Sequence, residues 1–180
     1  MNLSDIEVAI PAQSILIENY RNHFDDFDAA VKRSGVSQKY VAAENETALD
    51  LAFLAFKQLE KKTPGVTSSI DGIIFITQTP DYFLPGNSYL LMKQLNLDQD
   101  IVNYDLNQGC AGFIVGTQLA RSMMLSNQAS KIAVIFSDTY SKLIGDDDRG
   151  TKLLFGDGCA IAIFDNQIGP YKVCASKTKQ

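Results

Sequence analysis

The 180-residue sequence predicts an α/β fold with a mixed, mostly parallel sheet and helices on both faces. Short, apolar, β-branched runs alternate with helix-spaced segments along the chain. No repeat, low-complexity tract or Pro/Gly/Ser-rich linker breaks that alternation, so one domain over residues 1–180 is expected. A composition of 46% hydrophobic and 21% charged residues is enough for one core without disulfide or metal staples.

In residues 44–62, Ala48, Leu51, Ala52, Leu54, Ala55 and Leu59 recur at helical spacing, and Pro64-Gly65 then stops the helix. Residues 70–77 (IDGIIFIT) are short and apolar throughout, as a strand covered on both faces requires. A helix over about 87–95, a strand over 101–106, a helix over 111–125 and a strand over 132–137 continue the pattern. After the polar loop 140–150, the runs 151–155 and 158–164 flank Gly156-Asp157 and predict a closing hairpin.

Bulk properties narrow the function. A net charge of -5 offers no basic surface to neutralise phosphates, which argues against nucleic acid as a partner. The first eleven residues carry Asp5 and Glu7 and no cationic start, so no secretory signal is read there, and no apolar stretch is long enough to span a bilayer. Three dispersed cysteines, Cys110, Cys159 and Cys174, fit a reducing cytoplasm rather than a disulfide framework. The absence of a CxxC or Cys/His cluster leads us to expect no metal.

The run Asn107-Gln108-Gly109-Cys110-Ala111-Gly112-Phe113 places Cys110 between a predicted strand and a predicted helix. Glycines on both sides let the chain turn sharply and bring helix and sheet together, as in a nucleophile elbow. At a helix N-terminus the unpaired N–H groups and the macrodipole favour a thiolate. The same N–H groups can hold an oxyanion, worth about 3 kcal/mol to a transition state when preorganised. A cysteine commonly does no more than fill space, and that reading is kept for Cys159, within the apolar run 160–163, and for Cys174 in the C-terminal tail. His23, the one histidine, lies in a polar segment with nothing tying it to Cys110 and reads as a solvated side chain.

A second stretch, Asp146-Asp147-Asp148-Arg149-Gly150-Thr151 followed by Phe155-Gly156-Asp157-Gly158, carries a loop arginine. Arg149 could contact a phosphate or stack on a purine, but spacing alone favours an ion pair with the neighbouring aspartates. Gly156 and Gly158 could be turn residues or could admit a ligand to the backbone.

In order and spacing, Arg33-Ser34-Gly35-Val36, Asn45-Glu46-Thr47, Asp71-Gly72-Ile73-Ile74, Cys110-Ala111-Gly112-Phe113, Ser137-Asp138, Asp148-Arg149-Gly150-Thr151 and Phe155-Gly156-Asp157-Gly158 together resemble the first half of β-ketoacyl-acyl carrier protein synthase III. The resemblance covers about residues 33–165 and implies one half of a thiolase-like fold. It implies that Cys110 takes an acyl group from an acyl-coenzyme A or acyl-carrier-protein thioester. Malonyl-carrier protein then decarboxylates and attacks the acyl-enzyme, and no bound cofactor is needed beyond the thioester substrate.

By the same resemblance, Arg33, Arg149 and Gly150 sit at the mouth of the pantetheine tunnel. Phe155 walls the acyl pocket, and Leu84 reaches across a homodimer interface. Leu84 stands where the family commonly has Phe, which implies room for a longer or branched acyl chain. Ala29 stands where a tryptophan commonly stacks on adenine. The family's catalytic His and Asn fall in a second half, so this chain alone is expected not to complete a condensation and to expose an apolar face. Acyl transfer from Cys110 to an alcohol or amine, a noncatalytic dimer partner and a redox-sensing thiol are the competing functions.

Overall fold

The computed structural model describes residues 1–98, 100–167 and 169–174. In chain order its strands are β1 (Asn2–Ala9), β2 (Gln13–Leu16), β3 (Gln38–Val41), β4 (Gly72–Ile76), β5 (Val102–Leu106), β6 (Ile132–Asp138), β7 (Gly158–Asp165) and β8 (Tyr171–Lys172). The α-helices are α1 (Phe27–Ser34), α2 (Ala48–Lys62), α3 (Asn87–Gln94) and α4 (Gly112–Leu125).

Six strands form one sheet in the order β5-β4-β6-β7-β1-β8. β4 pairs in parallel with β5 and β6, while β7 is antiparallel to both β6 and β1, and β8 is antiparallel to β1. β5, β4, β6 and β1 therefore run the same way, and the sheet is mixed but mostly of one direction, as expected from the alternating elements.

Strand β4 shows why both faces are covered. Its side chains alternate across the sheet: Ile73 and Phe75 join α2 and α3 in one core, while Ile74 and Ile76 join α4 in another. The first core holds Leu51, Phe56 and Leu59 of α2, and the second holds Ala120, Met123 and Met124 of α4. Each large buried side chain of this kind contributes about 1.5–3 kcal/mol.

Helix α2 begins at Ala48, four residues later than the sequence predicts. Thr47 is its N-cap, and a reciprocal pair of bonds with Asp50 closes a capping box, so residues 44–46 stay outside the helix. Beyond its end, Gly65 takes φ +84°, the left-handed conformation that glycine adopts without strain.

The predicted closing hairpin is half right. β7 is a strand, but residues 151–155 form a tight turn, with the Leu154 and Phe155 N–H groups donating to the Thr151 carbonyl. Asp148 nucleates this turn: its carboxylate accepts from the N–H groups of Gly150 and Thr151 and from the Thr151 hydroxyl. Those bonds hold the Asp148 carboxyl below the usual carboxylate range, the Thr151 hydroxyl being the largest cause. β7 takes its partners from β1 and β6 instead.

β1 was not foreseen. Asp5 and Glu7 lie near Lys62 of α2, whereas Ile6 and Val8 point to the opposite face and are about half exposed. β2 and β3 form a separate antiparallel pair. The 3₁₀ helix Ile17–His23 and α1 lie between them in sequence and have a small core of Ile17, Phe27 and Leu153.

Close approach of α4 to the sheet rests on two glycines. A Cβ on Gly112 would lie 2.8 Å from Ile76 Cγ2, and one on Gly116 would lie 2.5 Å from Ile76 Cδ1 and 2.8 Å from Val134 Cγ1. Gly116→Val is therefore expected to cost about 1–3 kcal/mol by overpacking, read as a lower urea midpoint. An unchanged midpoint would contradict this packing.

Candidate active site

Cys110 lies on the turn between β5 and α4, at the C-terminal end of the parallel strands, where open α/β sheets collect ligands. Its side chain is exposed. The Gly112 N–H closes the turn onto the Gly109 carbonyl at 2.8 Å. Among the described residues, the N–H groups of Cys110 and Ala111 have no hydrogen-bond acceptor. Two donors beside an exposed thiol are the parts an oxyanion site needs.

The turn differs from a strained elbow. Among the described residues, positive φ occurs at Gly35, Gly65, Asn96 and Asn127, and Cys110 is not among them. Gly112 serves packing against Ile76, and a Cβ on Gly109 would meet only the Gln78 side-chain amide, at 3.3 Å.

Neighbouring strand ends at this edge are tied by Asp138, whose Oδ1 accepts from the Thr77 hydroxyl (3.0 Å) and from the N–H groups of Gln78 (2.6 Å) and Thr79 (3.2 Å). The Thr79 hydroxyl in turn accepts from the Thr139 N–H at 2.9 Å. The sequence displayed Ser137-Asp138 as part of a pattern, but its role as a clamp depends on β4 and β6 being neighbours, which spacing alone did not reveal.

Arg33 at the end of α1 and Arg149 on the loop after β6 come together. With Ala30, Ser34, Gly150 and Leu153 they line a cavity of about 290 Å³. Arg149 Nη1 donates to Asp25 Oδ2 at 3.0 Å, across 124 residues of chain, instead of pairing with its neighbouring aspartates. Those aspartates have their own work: Asp146 accepts from Lys152 at 3.0 Å, and Asp148 holds the turn described above. Lys39, buried behind this loop, donates to the Lys152 carbonyl at 2.8 Å, and its burial lowers the ammonium's pKa.

Gly156 is needed for the protein's own backbone. A Cβ there would lie 2.7 Å from the Tyr40 carbonyl, which accepts the Asp157 N–H at 2.8 Å. The Asp157 carboxylate accepts from the Ala42 N–H (2.7 Å), the Ser141 N–H (2.8 Å) and the Ser141 hydroxyl (2.5 Å). It thereby joins the end of β3, the loop after β6 and the entry to β7, and sequence reading missed it.

The remaining residues are placed separately. The Phe155 ring packs against Tyr140 at 5.1 Å. Leu84 is 87% exposed beside Phe83 at 105%, on the loop before α3. His23 is exposed, with its ring edge against Tyr20. Cys159 is buried on the α2 side of the sheet, where burial pushes its thiol up to about 12. A larger cavity of about 640 Å³ lies by Asp71 and Ile101, at the N-terminal ends of β4 and β5 and so away from the Cys110 end. Among the described residues, no helix is long and apolar enough to cross a membrane.

Comparison with known proteins finds relatives across most of the chain. The family model for 3-oxoacyl-[acyl-carrier-protein (ACP)] synthase III matches residues 104–179, which include Cys110, Arg149 and Phe155. A β-ketoacyl-[acyl-carrier-protein] synthase III of Deinococcus deserti is 29% identical over 161 residues, covering 89% of this chain and 45% of the relative. One from Staphylococcus epidermidis is 39% identical over 127 residues, covering 71% and 39%. The crystal structure of synthase III from Thermus thermophilus superposes with a TM-score of 0.85 at 30% identity, covering 95% of this chain and 53% of that one. The chain thus spans about half the length of the relatives it matches. On these matches, this chain belongs to the β-ketoacyl-[acyl-carrier-protein] synthase III family of thiolase-like proteins.

Proposed function

We propose that this chain is the nucleophile-bearing half of a condensing enzyme and that Cys110 accepts an acyl group from a coenzyme A or carrier-protein thioester. The observation that carries the proposal is the exposed Cys110 thiol beside two N–H groups, Cys110 and Ala111, that have no acceptor among the described residues. The thiolate attacks the thioester carbonyl, the two N–H groups hold the resulting oxyanion, and collapse expels the donor as its thiolate, which takes a proton from solvent. Carbon–carbon bond formation follows when malonyl-carrier protein loses carbon dioxide and its carbanion attacks the acyl-Cys110 carbonyl, releasing the thiolate. The resemblance assigns this second step to a His and an Asn of the family's second half, so the part proposed for the present half is formation of the acyl-enzyme.

Arg33, Arg149 and Gly150 form the entrance for the donor in this reading, and Phe155 and Leu84 shape the acyl site. A homodimer is part of the proposal. β5 is an edge strand, and the adjoining loop exposes Tyr82, Phe83 and Leu84, a surface suited to a second copy. The apolar circumference of α4 supports a further covering layer. Phe113, Ile114 and Leu125 are exposed on its outer side, as are Ile6 and Val8 on the same face of the sheet.

Incubation of the chain with malonyl-carrier protein and a panel of acyl thioesters tests the proposal by product analysis and intact mass. Acyl-enzyme without β-ketoacyl product is expected, with branched and longer acyl groups loading at least as well as acetyl because Leu84 is smaller than Phe. A β-ketoacyl product from the chain alone, or loading of acetyl only, would contradict the corresponding part.

A further inference from the structure

We infer that Asp25 is a specificity-determining residue of the donor entrance, acting as a built-in anion that competes with a ligand phosphate for Arg149. The inference rests on the reading of the Arg33–Arg149 cavity as the donor entrance and goes beyond it in saying which donor the entrance disfavours.

The carboxylates of the 18–28 segment divide among three partners. Glu18 and Asp28 both pair with Arg21. Asp26 is the N-cap of α1, accepting from the Ala29 N–H at 3.2 Å. Asp25 alone crosses to the loop after β6, where Arg149 is its one side-chain partner among the described residues. The Asp26 cap fixes the chain at the start of α1 next to Asp25, which reaches the cavity through its bond to Arg149.

The cavity therefore presents two guanidinium groups in different states. Arg33 has no ion-pair partner among the described residues, whereas Arg149 is already engaged. A phosphate entering between them finds Arg33 available, whereas at Arg149 it must either displace the Asp25 carboxylate from Nη1 or share the guanidinium with that like charge. Of the two donors, coenzyme A presents additional phosphates on its nucleotide, while a carrier protein presents only its phosphopantetheine phosphodiester. The engaged arginine thus penalises the nucleotide donor more.

Both partners are well exposed, 61% for the Arg149 side chain and 95% for Asp25, so the pair is weak and reversible. A change of about two- to five-fold in affinity is the size such a pair can produce. That is a bias between donors, not a block.

Adenosine 3′,5′-bisphosphate, titrated into the chain by calorimetry at low salt, is the probe. Asp25→Asn is expected to bind it about two- to five-fold more tightly than the unsubstituted chain, Arg149→Ala more weakly, and Asp25→Asn/Arg149→Ala no more tightly than Arg149→Ala. Equal or weaker binding by Asp25→Asn would overturn the inference, as would a gain that persists without Arg149. If neither Arg33→Ala nor Arg149→Ala weakens binding, or if no variant binds, the reading of the cavity as a phosphate entrance fails and takes the inference with it.

Discussion

Asp157→Ala is expected to remove about 3–5 kcal/mol of folding free energy, measured as a fall in the urea midpoint at an unchanged slope. The carboxylate is buried and accepts three hydrogen bonds, from the Ala42 N–H and from both the N–H and the hydroxyl of Ser141. A hydrogen bond to a charged acceptor is worth about 1.5–3 kcal/mol, and a buried N–H left without an acceptor costs about 1–3 kcal/mol. The substitution would orphan the buried Ala42 N–H and the half-buried Ser141 N–H at once. It would also take away the anion facing Lys39, whose ammonium is buried and already disfavoured by desolvation.

The consequence extends to the donor entrance. Asp157 anchors the loop after β6 at Ser141, and that loop goes on to present Arg149 and Gly150. Asp157→Asn keeps one acceptor oxygen and should lose less than Asp157→Ala. A change below about 0.5 kcal/mol in Asp157→Ala, the range of ordinary surface substitutions, would show that the three bonds do not hold these segments together.

Much of the fold could be read from the sequence where one local signal dominates. α2 announces itself through helix-spaced apolar residues and a glycine stop, and β4 through an unbroken β-branched run. Cys110 could be read because its glycines and the change from strand to helix pattern are local. The close approach of helix and sheet expected from those glycines is made by Gly112 against Ile76, with no left-handed backbone at the turn.

What could not be read depends on distant partners. In β1 the charged residues Asp5 and Glu7 face Lys62 while Ile6 and Val8 face outward, so the strand's pattern makes sense only with its neighbours in place. Residues 151–155 look like a strand by composition, but Asp148 captures the Thr151 N–H and hydroxyl and winds the segment into a turn. Arg149 stands beside three aspartates and pairs with none of them, because Lys152 and the Asp148 turn claim two and α1 brings Asp25 within reach. Asp157 likewise gains its role only when β3 and the loop after β6 converge on it.

The thiol at the head of α4 is where the largest functional effect is expected. The wild-type chain and Cys110→Ala, incubated separately with acetyl-coenzyme A and with an acetyl-carrier-protein thioester and followed by intact mass and peptide mapping, test it most directly. The wild-type chain should gain one acetyl group, mapped to Cys110 and released by hydroxylamine as a thioester is, and Cys110→Ala should gain none. Cys159 is buried and should stay unmodified. Failure of both donors to load the wild-type chain, or an adduct that persists in Cys110→Ala, would contradict the assignment of Cys110 as the acyl acceptor.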